Sequence, residues 1–394
     1  MESGNQKKLC LNEPNNCYKK GNQAQNIYYL ATIVVVTKLI LAYSELIVLP
    51  NFMNTIFNFI FIFLMLLKLL VSFEFKVRKI YVLFFLFSIM ALYTSVKADY
   101  YIILLSAMAI IGLKKMNIRN IIKVMFATKV FWLTVHFICF SIMIVFLPQM
   151  VKYSVIGGVI RYRILLSQPN TCAMLFLWAI FEYIYLNYEK INFNKFIICT
   201  FVFGLILYIT KSKTTVIVYI ALWLMIWQKK RKVMQKFISL FSKYGYVILS
   251  IFFISLTVLY TVVPWARSLN TMLTGRLAGS AKAYELYGFT MFGQYLELGQ
   301  KIDWDAIYGV TSIWLENSYT MMVINCGIVY AILIAIALRY TANYLTEKDK
   351  IFVCAMLIYG ISESYIVDVF LCFPLLIVAG AIYNKRKYLL MKNE

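Results

Sequence analysis

Repeated apolar stretches of about 15 to 23 residues run through this chain, with short polar segments between them. Such lengths match α-helices that cross a hydrocarbon core about 30 Å thick. Hydrophobic residues form 62% of the 394-residue sequence, which a soluble domain could not keep from water. Backbone polar groups inside a bilayer must bond within the chain, and stretches without alternation favour helices over a barrel. We therefore predict an all-α, polytopic helical integral membrane protein.

Twelve apolar segments qualify as predicted spans. They cover residues 26–46, 52–73, 80–96, 100–113, 125–147, 171–188, 196–210, 215–227, 244–263, 318–338, 351–366 and 369–383. The domain organisation that follows is an N-terminal tail (1–25), nine spans (26–263) with an external segment at 148–170, a long external loop (264–317) with short or re-entrant helices, three further spans (318–383) and a C-terminal tail (384–394).

The basic residues predict which side of the membrane each segment faces. Of the 39 Lys and Arg, 26 fall on one face of the predicted topology, ten on the other and three within spans. Cations collect on the cytoplasmic side of a membrane. We therefore expect both termini on the cytoplasmic side of the plasma (inner) membrane. The net charge of +22 could indicate nucleic acid, but cations scattered between spans form no single basic face, so we predict no nucleic-acid partner.

The ten external cations gather around a few segments. The first external segment ends in RYRILLSQPNT (161–171), where Arg161 and Arg163 precede Gln168, Pro169 and Asn170. Asn is a favoured N-cap, helix N-termini bind anions, and guanidinium groups bind phosphate oxygens bidentately. These residues predict a phosphate site; the alternative is that both arginines contact only lipid headgroups.

Two further external segments carry candidate ligands. The segment TKSKT (210–214) places Lys211 and Lys213 between two spans, and Arg276 lies between glycines in the long loop. That loop reads as an amphipathic helix from Ala281 onward, and its aromatic residues, Tyr287 among them, suit either sugar rings or an interfacial belt.

The triplet Asp303-Trp304-Asp305 looks like the metal-binding motif of nucleotide-sugar enzymes. Nucleotide sugars are cytoplasmic and this segment is predicted to be external, so we predict a helix cap or solvated turn here, with no metal and no cofactor.

Five ionisable residues lie within or beside predicted spans. Lys38 and Glu45 lie on a similar helix face and predict an ion pair, while Lys68 and Lys129 are expected to extend their ammonium groups to the cytoplasmic interface. His136, which is mid-span and the sole histidine, is expected to be a hydrogen-bonded packing residue, with catalysis as the alternative.

An ordered set of segments resembles the polytopic O-antigen and capsular polysaccharide polymerases, which belong with the O-antigen ligases. The set comprises RYRILLSQPNT, TKSKT, a long loop with LTGRL and YGFTMFGQ, and LENSYTMMVINCGIVY (315–330). The resemblance covers roughly the C-terminal 60% of the chain.

The resemblance implies a metal-independent glycosyltransferase that acts outside the membrane. Such an enzyme transfers a growing glycan from a polyprenyl-diphosphate carrier to another lipid-linked repeat unit, with a chain-length regulator and a flippase as further partners. It implies that Arg276 and one of Arg161 and Arg163 neutralise the diphosphate leaving group, assisted by Lys211 or Lys213. Asn317 and Tyr319 would position the acceptor.

The general base is left open by this comparison. Its candidates are Glu285, Glu297, Glu316 and Glu363, of which Glu285 and Glu297 are taken as the catalytic candidates. Gln168 stands where the family often has His, and the long loop has no histidine, which favours a polymerase over a ligase. A flippase or transporter of lipid-linked oligosaccharide is the alternative function, although such proteins typically show internal repeats and interrupted polar spans.

Overall fold

The computed structural model describes residues 14–72, 79–156, 158–273, 275–299, 301–305 and 310–383. Within these ranges the chain forms fifteen α-helices and two small antiparallel hairpins. The prediction of a helical protein is confirmed at this level.

The helices of the first half, with a hairpin before the sixth, are α1 (Pro14–Ala42), α2 (Asn51–Val71), α3 (Lys79–Ala98), α4 (Ile102–Gly112), α5 (Ile118–Phe146), β1 (Tyr153–Ile156), β2 (Val159–Tyr162), α6 (Pro169–Leu186), α7 (Phe193–Thr210), α8 (Lys213–Gln228) and α9 (Lys232–Val258). The second half contains α10 (Pro264–Met272), α11 (Arg276–Tyr287), β3 (Lys301–Asp305), β4 (Val310–Ser312), α12 (Ser318–Met321), a π-helical turn (Met322–Cys326), α13 (Ile328–Thr341), α14 (Glu347–Tyr359) and α15 (Pro374–Tyr383).

All twelve predicted spans overlap these helices. In the described part of the chain, five helices have the length and apolar composition needed to cross a membrane: Asn22–Ala42, Asn51–Val71, Ile118–Phe146, Phe193–Thr210 and Lys232–Val258. Five apolar helices are shorter: Leu86–Ala98, Ile102–Gly112, Lys213–Gln228, Ile328–Thr341 and Pro374–Tyr383. The chain thus has the character of a helical membrane protein, and crossing by all twelve segments stays a prediction.

Contacts between helix ends divide the bundle into two ends. At the end that we call the basic end, Arg119 Nη2 donates to the Leu186 carbonyl (2.7 Å) and the Lys348 ammonium lies 4.2 Å from the Tyr185 ring centroid. At the opposite end, which we call the site end, the Ser167 amide donates to the Tyr43 carbonyl (2.7 Å). These contacts place α1, α5 and α14 each antiparallel to α6, as the predicted topology requires of these four helices.

Both long connections at the site end contain structure that the sequence did not predict. The segment 148–170 folds into the β1–β2 hairpin, with Tyr153 opposite Tyr162. In the segment 264–317, β3 pairs with β4. The triplet Asp303-Trp304-Asp305 lies in β3, so the predicted helix cap or turn is wrong, and its side chains lie outside the part that the structure describes.

Helix α11 begins at Arg276, earlier than the predicted Ala281. Gly275 precedes it with φ +87°, a left-handed conformation that glycine adopts without steric cost. The Asn270 side chain accepts a hydrogen bond from the Ala278 amide (2.9 Å), which satisfies one of the exposed donors of the first turn. The early start places Arg276 in the first turn of a helix, at its positive end.

The predicted span 318–338 is broken in its middle. The π-helical turn ends at Gly327, whose φ is +94° and whose missing Cβ would lie 2.4 Å from the Gly293 nitrogen. Residues 290–294 pass this break, where the Gln294 amide donates to the Asn325 carbonyl (3.1 Å). The long connection is thus anchored into the bundle rather than lying on its surface.

Ion pairs inside the bundle differ from those predicted. Lys129 is fully buried and donates to Glu182 and to the Leu371 carbonyl (3.2 Å), so it does not reach an interface. Its interaction with Leu371 fixes the irregular segment 360–373, which joins α14 to α15.

The predicted Lys38–Glu45 pair is also wrong. Glu45 instead contacts Arg163 (3.2 Å) and Lys152 (3.5 Å), because the β1–β2 hairpin lies against the end of α1. Lys68 is also fully buried, and its ammonium donates to the Lys114 carbonyl (3.1 Å) instead of extending to the interface.

Lys129→Met should destabilise the protein by about 3–5 kcal/mol, because it leaves the Glu182 carboxylate buried without its counter-charge. Thermal or denaturant unfolding of the purified protein in detergent measures the loss. Lys123→Met, an exposed lysine of the same helix, is the matched control. Adding Glu182→Leu to Lys129→Met should recover most of the loss; equal stability of Lys129→Met and wild type would contradict the buried pair.

Candidate functional site

Arg276 is the centre of the polar cluster at the site end. Its side chain is almost completely buried, with 6% of the residue exposed. The guanidinium contacts Glu316 Oε2 at 3.0 Å through Nε and Glu363 Oε1 at 3.3 Å through Nη2. A buried arginine requires such partners, since an unpaired charge away from water is costly. The two carboxylates come from different segments, so Arg276 joins α11 to residues that precede α12 and follow α14.

Glu363 lies in the segment 360–373, and its carboxylate is a tenth exposed. Burial raises its pKa to about 7; Arg276 opposes this rise and Glu316 adds to it. The Thr214 hydroxyl donates to the same oxygen that Arg276 contacts (3.4 Å). A carboxylate with this pKa exchanges protons near neutral pH, as general acid–base chemistry requires.

Arg161 approaches the same cluster from the β1–β2 hairpin. Its Nε donates to the Thr210 carbonyl (2.9 Å) and its Nη2 donates to Asn170 Oδ1 (2.6 Å). Burial and the nearby Arg276 charge lower the pKa of Arg161. Among the described residues, no carboxylate pairs with it. Its positive charge is therefore held by neutral oxygens beside a second guanidinium, as suits an anion-binding site.

Asn170 does not cap its helix as predicted. Gln168 occupies the N-cap position without a side-chain hydrogen bond, and Pro169 is the first residue of α6, which suits its fixed φ. Asn170 follows inside the first turn, where its amide oxygen is available to Arg161. Its role in the cluster is to position that arginine.

The TKSKT segment borders the cluster through Thr214. Lys211 has φ +51° and its ammonium lies 3.9 Å from the Tyr208 ring centroid, while Lys213 begins α8. Both lysines are exposed. They add positive charge around a cluster that contains two arginines and two carboxylates, so positive charge is in excess at the mouth of this cluster.

Arg163 belongs to a second group of contacts rather than to the Arg276 cluster. It donates to Ser154 Oγ (3.2 Å), to Glu45 Oε1 (3.2 Å) and to the Ser167 carbonyl (3.1 Å). These contacts tie the hairpin to the end of α1. Arg163 thus supports the loop that carries Arg161.

The loop after Arg163 holds a backbone conformation that L-residues rarely adopt. Ile164 and Leu165 have φ of +49° and +56°, and both are buried. Positive φ is strained for a β-branched residue and persists only where packing enforces it. No sequence signal marks this turn, which redirects the chain from the hairpin towards Pro169.

Two carboxylates favoured from the sequence lie apart from Arg276. Glu285 follows Arg276 by nine residues, which places it half a turn away around α11, and it is exposed and pairs with Lys282 (3.0 Å). Glu297 is exposed in the segment before β3. Tyr287, at the end of α11, is partly buried against the main core. The structure brings Glu316 and Glu363 to Arg276 instead.

Asn317 and Tyr319 are engaged in the fold. The Asn317 side chain caps α12 by accepting from the Tyr319 amide (3.0 Å) and donates to the Ile361 carbonyl (2.8 Å). Tyr319 is fully buried, donates to the Leu357 carbonyl and stacks on Phe253. Asn317 therefore aligns the segments that bear Glu316 and Glu363, and Tyr319 packs beneath them.

His136 also has a packing environment. Its Nδ1 lies 2.8 Å from the Trp132 carbonyl and its Nε2 lies 2.8 Å from Ser44 Oγ. Both ring nitrogens are thus engaged, as the packing interpretation expects. No cluster of three metal-ligating side chains occurs within the described ranges.

Comparison with known proteins gives no relative for this chain: no family model, no curated protein and no solved structure matches it.

Proposed function

We propose that this protein is a polysaccharide polymerase that works at the outer face of the plasma membrane. It transfers a growing glycan from a polyprenyl-diphosphate carrier to another lipid-linked repeat unit, in capsule or O-antigen synthesis. Both termini are cytoplasmic, all twelve predicted segments cross, and the site end is external. A chain-length regulator and a flippase are its expected partners.

One observation carries the proposal: a buried arginine at a helix N-terminus is placed beside a second arginine and a carboxylate with a pKa of about 7. Arg276 and Arg161 supply fixed positive charge where a diphosphate would leave. Glu363 supplies a proton acceptor in the same cluster. These are the two components that transfer from a diphosphate to a hydroxyl needs.

The reaction is a substitution at the anomeric carbon of the donor glycan. The acceptor hydroxyl oxygen forms the new glycosidic bond while the bond from the anomeric carbon to the diphosphate oxygen breaks. The hydroxyl proton goes to the Glu363 carboxylate, and the bonding electrons leave with the polyprenyl diphosphate. Arg276 and Arg161 stabilise the negative charge that the leaving group gains, with Lys211 and Lys213 at the mouth of the site.

The opening of the site requires a rearrangement of existing ion pairs. Arg276 is held by Glu316, whose side chain is 45% exposed, and by the nearly buried Glu363. A diphosphate that displaces Glu316 becomes the new partner of Arg276. Arg276 then pairs with a doubly charged group in place of a single, partly hydrated carboxylate. Glu363 is retained in place by Thr214, so the base stays beside the reacting centre.

The flippase or transporter alternative predicts a different distribution of polar groups. The Arg276 cluster lies at one end of the bundle, and its arginines contact the ends of helices rather than their middles. Transport sites lie typically near the midplane. The side of the membrane on which lipid-linked units accumulate in a mutant separates the two functions.

Arg276→Gln should reduce polymer formation by about 10²- to 10³-fold, because the leaving diphosphate loses a preorganised positive charge. Single repeat units on lipid should accumulate on the outer face of cells that express the variant normally. Arg267→Gln, an exposed arginine of the neighbouring α10, is the matched control and should retain polymer. Full-length polymer from Arg276→Gln would refute the site, and accumulation on the inner face would support the flippase.

Activity should fall as the pH decreases through about 7, because Glu363 accepts the acceptor proton only as a carboxylate. Glu363→Gln should remove this pH dependence and lower the rate by about 10²- to 10⁴-fold. Initial rates of glycan transfer at several pH values measure both effects. Glu189→Gln, an exposed glutamate of the basic end, is the control. A larger loss in Glu285→Gln or Glu297→Gln than in Glu363→Gln would assign the base to that residue instead.

A further inference from the structure

A polar cavity of about 70 Å³ lies between α1, α4 and the segment 360–373. Its polar lining consists of Lys38, Tyr43, Ser106 and Asp368, and the rest of the lining is apolar. A water molecule requires about 10–15 Å³ of such space and two to four polar partners. The cavity therefore has room and partners for several waters. It reaches the surface at Ala42, the exposed last residue of α1, at the site end.

Two opposite charges face each other across this cavity. The Lys38 ammonium makes no hydrogen bond or ion pair with the other described residues, and its charge interacts with that of Asp368. Asp368 is 3% exposed, and its Oδ1 accepts from the Phe370 (3.0 Å) and Leu371 (3.2 Å) amides. Direct pairing would have been the usual arrangement for buried charges, so water between them is the simplest account of this geometry.

Tyr43 and Tyr365 connect the cavity to the Glu363 cluster. Their side chains hydrogen-bond to each other, and their rings meet edge to face with centroids 6.5 Å apart. Tyr365 also hydrogen-bonds Thr171, and it lies close enough to Glu363 for their charges to interact. Tyr43 itself lines the cavity. The Tyr365 and Tyr43 hydroxyls thus lie between Glu363 and the cavity. A continuous path requires one water molecule between Glu363 and Tyr365.

Each proposed glycan transfer leaves one proton on Glu363, and bound substrates cover its small exposed area. We propose that the Lys38–Asp368 cavity is the proton outlet of this site: Glu363 gives its proton through Tyr365 and Tyr43 to cavity water and Asp368. The proton then leaves through the opening at Ala42, and Glu363 is again a carboxylate. This inference rests on the proposed function. It adds three relay residues, Tyr365, Tyr43 and Asp368, that do not contact the reacting atoms.

Burial and charge act in opposite directions on Asp368. Burial raises its pKa, whereas the Leu371 and Phe370 amides, Lys129 from α5 and Lys38 from α1 oppose that rise. Tyr43 and Tyr100 lie close enough to interact with its carboxylate. Asp368 therefore accepts a proton more readily than an exposed aspartate, and the adjoining cavity water is the route by which that proton leaves.

The test is the time course of glycan transfer by the full-length protein in lipid vesicles. The probe is lipid-linked repeat units extracted from a strain that lacks this gene. Asp368→Asn and Tyr365→Phe should form about one linkage per enzyme at the normal rate and then slow by at least about tenfold, because the first turnover needs no outlet. The size of this burst also reports the folded fraction of each variant.

Asp99→Asn and Tyr29→Phe are the matched controls. Asp99 is exposed at the site end, and the Tyr29 hydroxyl has no hydrogen bond within the described ranges. Both variants should keep the wild-type time course. Tyr43→Phe provides an independent variant of the relay if Asp368→Asn does not fold.

Two outcomes would overturn the outlet. Unchanged steady-state rates in Tyr365→Phe and Tyr43→Phe would show that the proton leaves elsewhere. An equal slowing of the first and later turnovers would assign these residues a purely structural role. In both cases the wild-type protein still forms polymer, whereas failure of the wild type would contradict the proposed function itself.

Discussion

The pairing of buried Arg276 with Glu316 and Glu363 is the interaction on which the site end depends. It connects α11 to the two segments that carry these glutamates, which Asn317 and Ser318 also join to each other by hydrogen bonds. Because a buried guanidinium without partners would be strongly destabilising, the three segments must assemble together. The same requirement leaves Glu363 in a nearly closed environment, which raises its pKa to about 7. The burial that makes the Arg276 ion pairs necessary for the fold therefore also raises the pKa of Glu363.

Much of the fold could be predicted because membrane helices leave a strong signal in apolar composition. The positions of the helices follow from residue type and order, and the sequence also singles out Arg161 and Arg276, which the structure brings to one cluster. The hairpin β1–β2, the left-handed turn at Ile164 and Leu165 and the break at Gly327 could not be predicted. They depend on packing between segments that are distant in sequence, and short apolar strands have no distinct pattern.

The carboxylates that contact Arg276 show the same limit. The sequence predicts Glu285 and Glu297 as catalytic candidates, yet helix geometry turns Glu285 away from Arg276 and Glu297 is exposed. Glu363 is remote in the chain and reaches Arg276 only because Ser318 and Asn317 bond to its segment. Likewise the sequence predicts Lys129 at an interface. In the structure it pairs with Glu182 and donates to the Leu371 carbonyl, which holds the segment 360–373 in place. Long-range ion pairs decide the site, and they are invisible in a single sequence.

The proposed function requires that this protein forms glycosidic bonds with polyprenyl diphosphate as the leaving group. Its most direct test is the stoichiometry of the purified protein in vesicles supplied with lipid-linked repeat units and no nucleotide sugar. One polyprenyl diphosphate should be released for each repeat unit joined. Movement of lipid-linked units across the vesicle membrane, with no diphosphate released and no linkage formed, would contradict it.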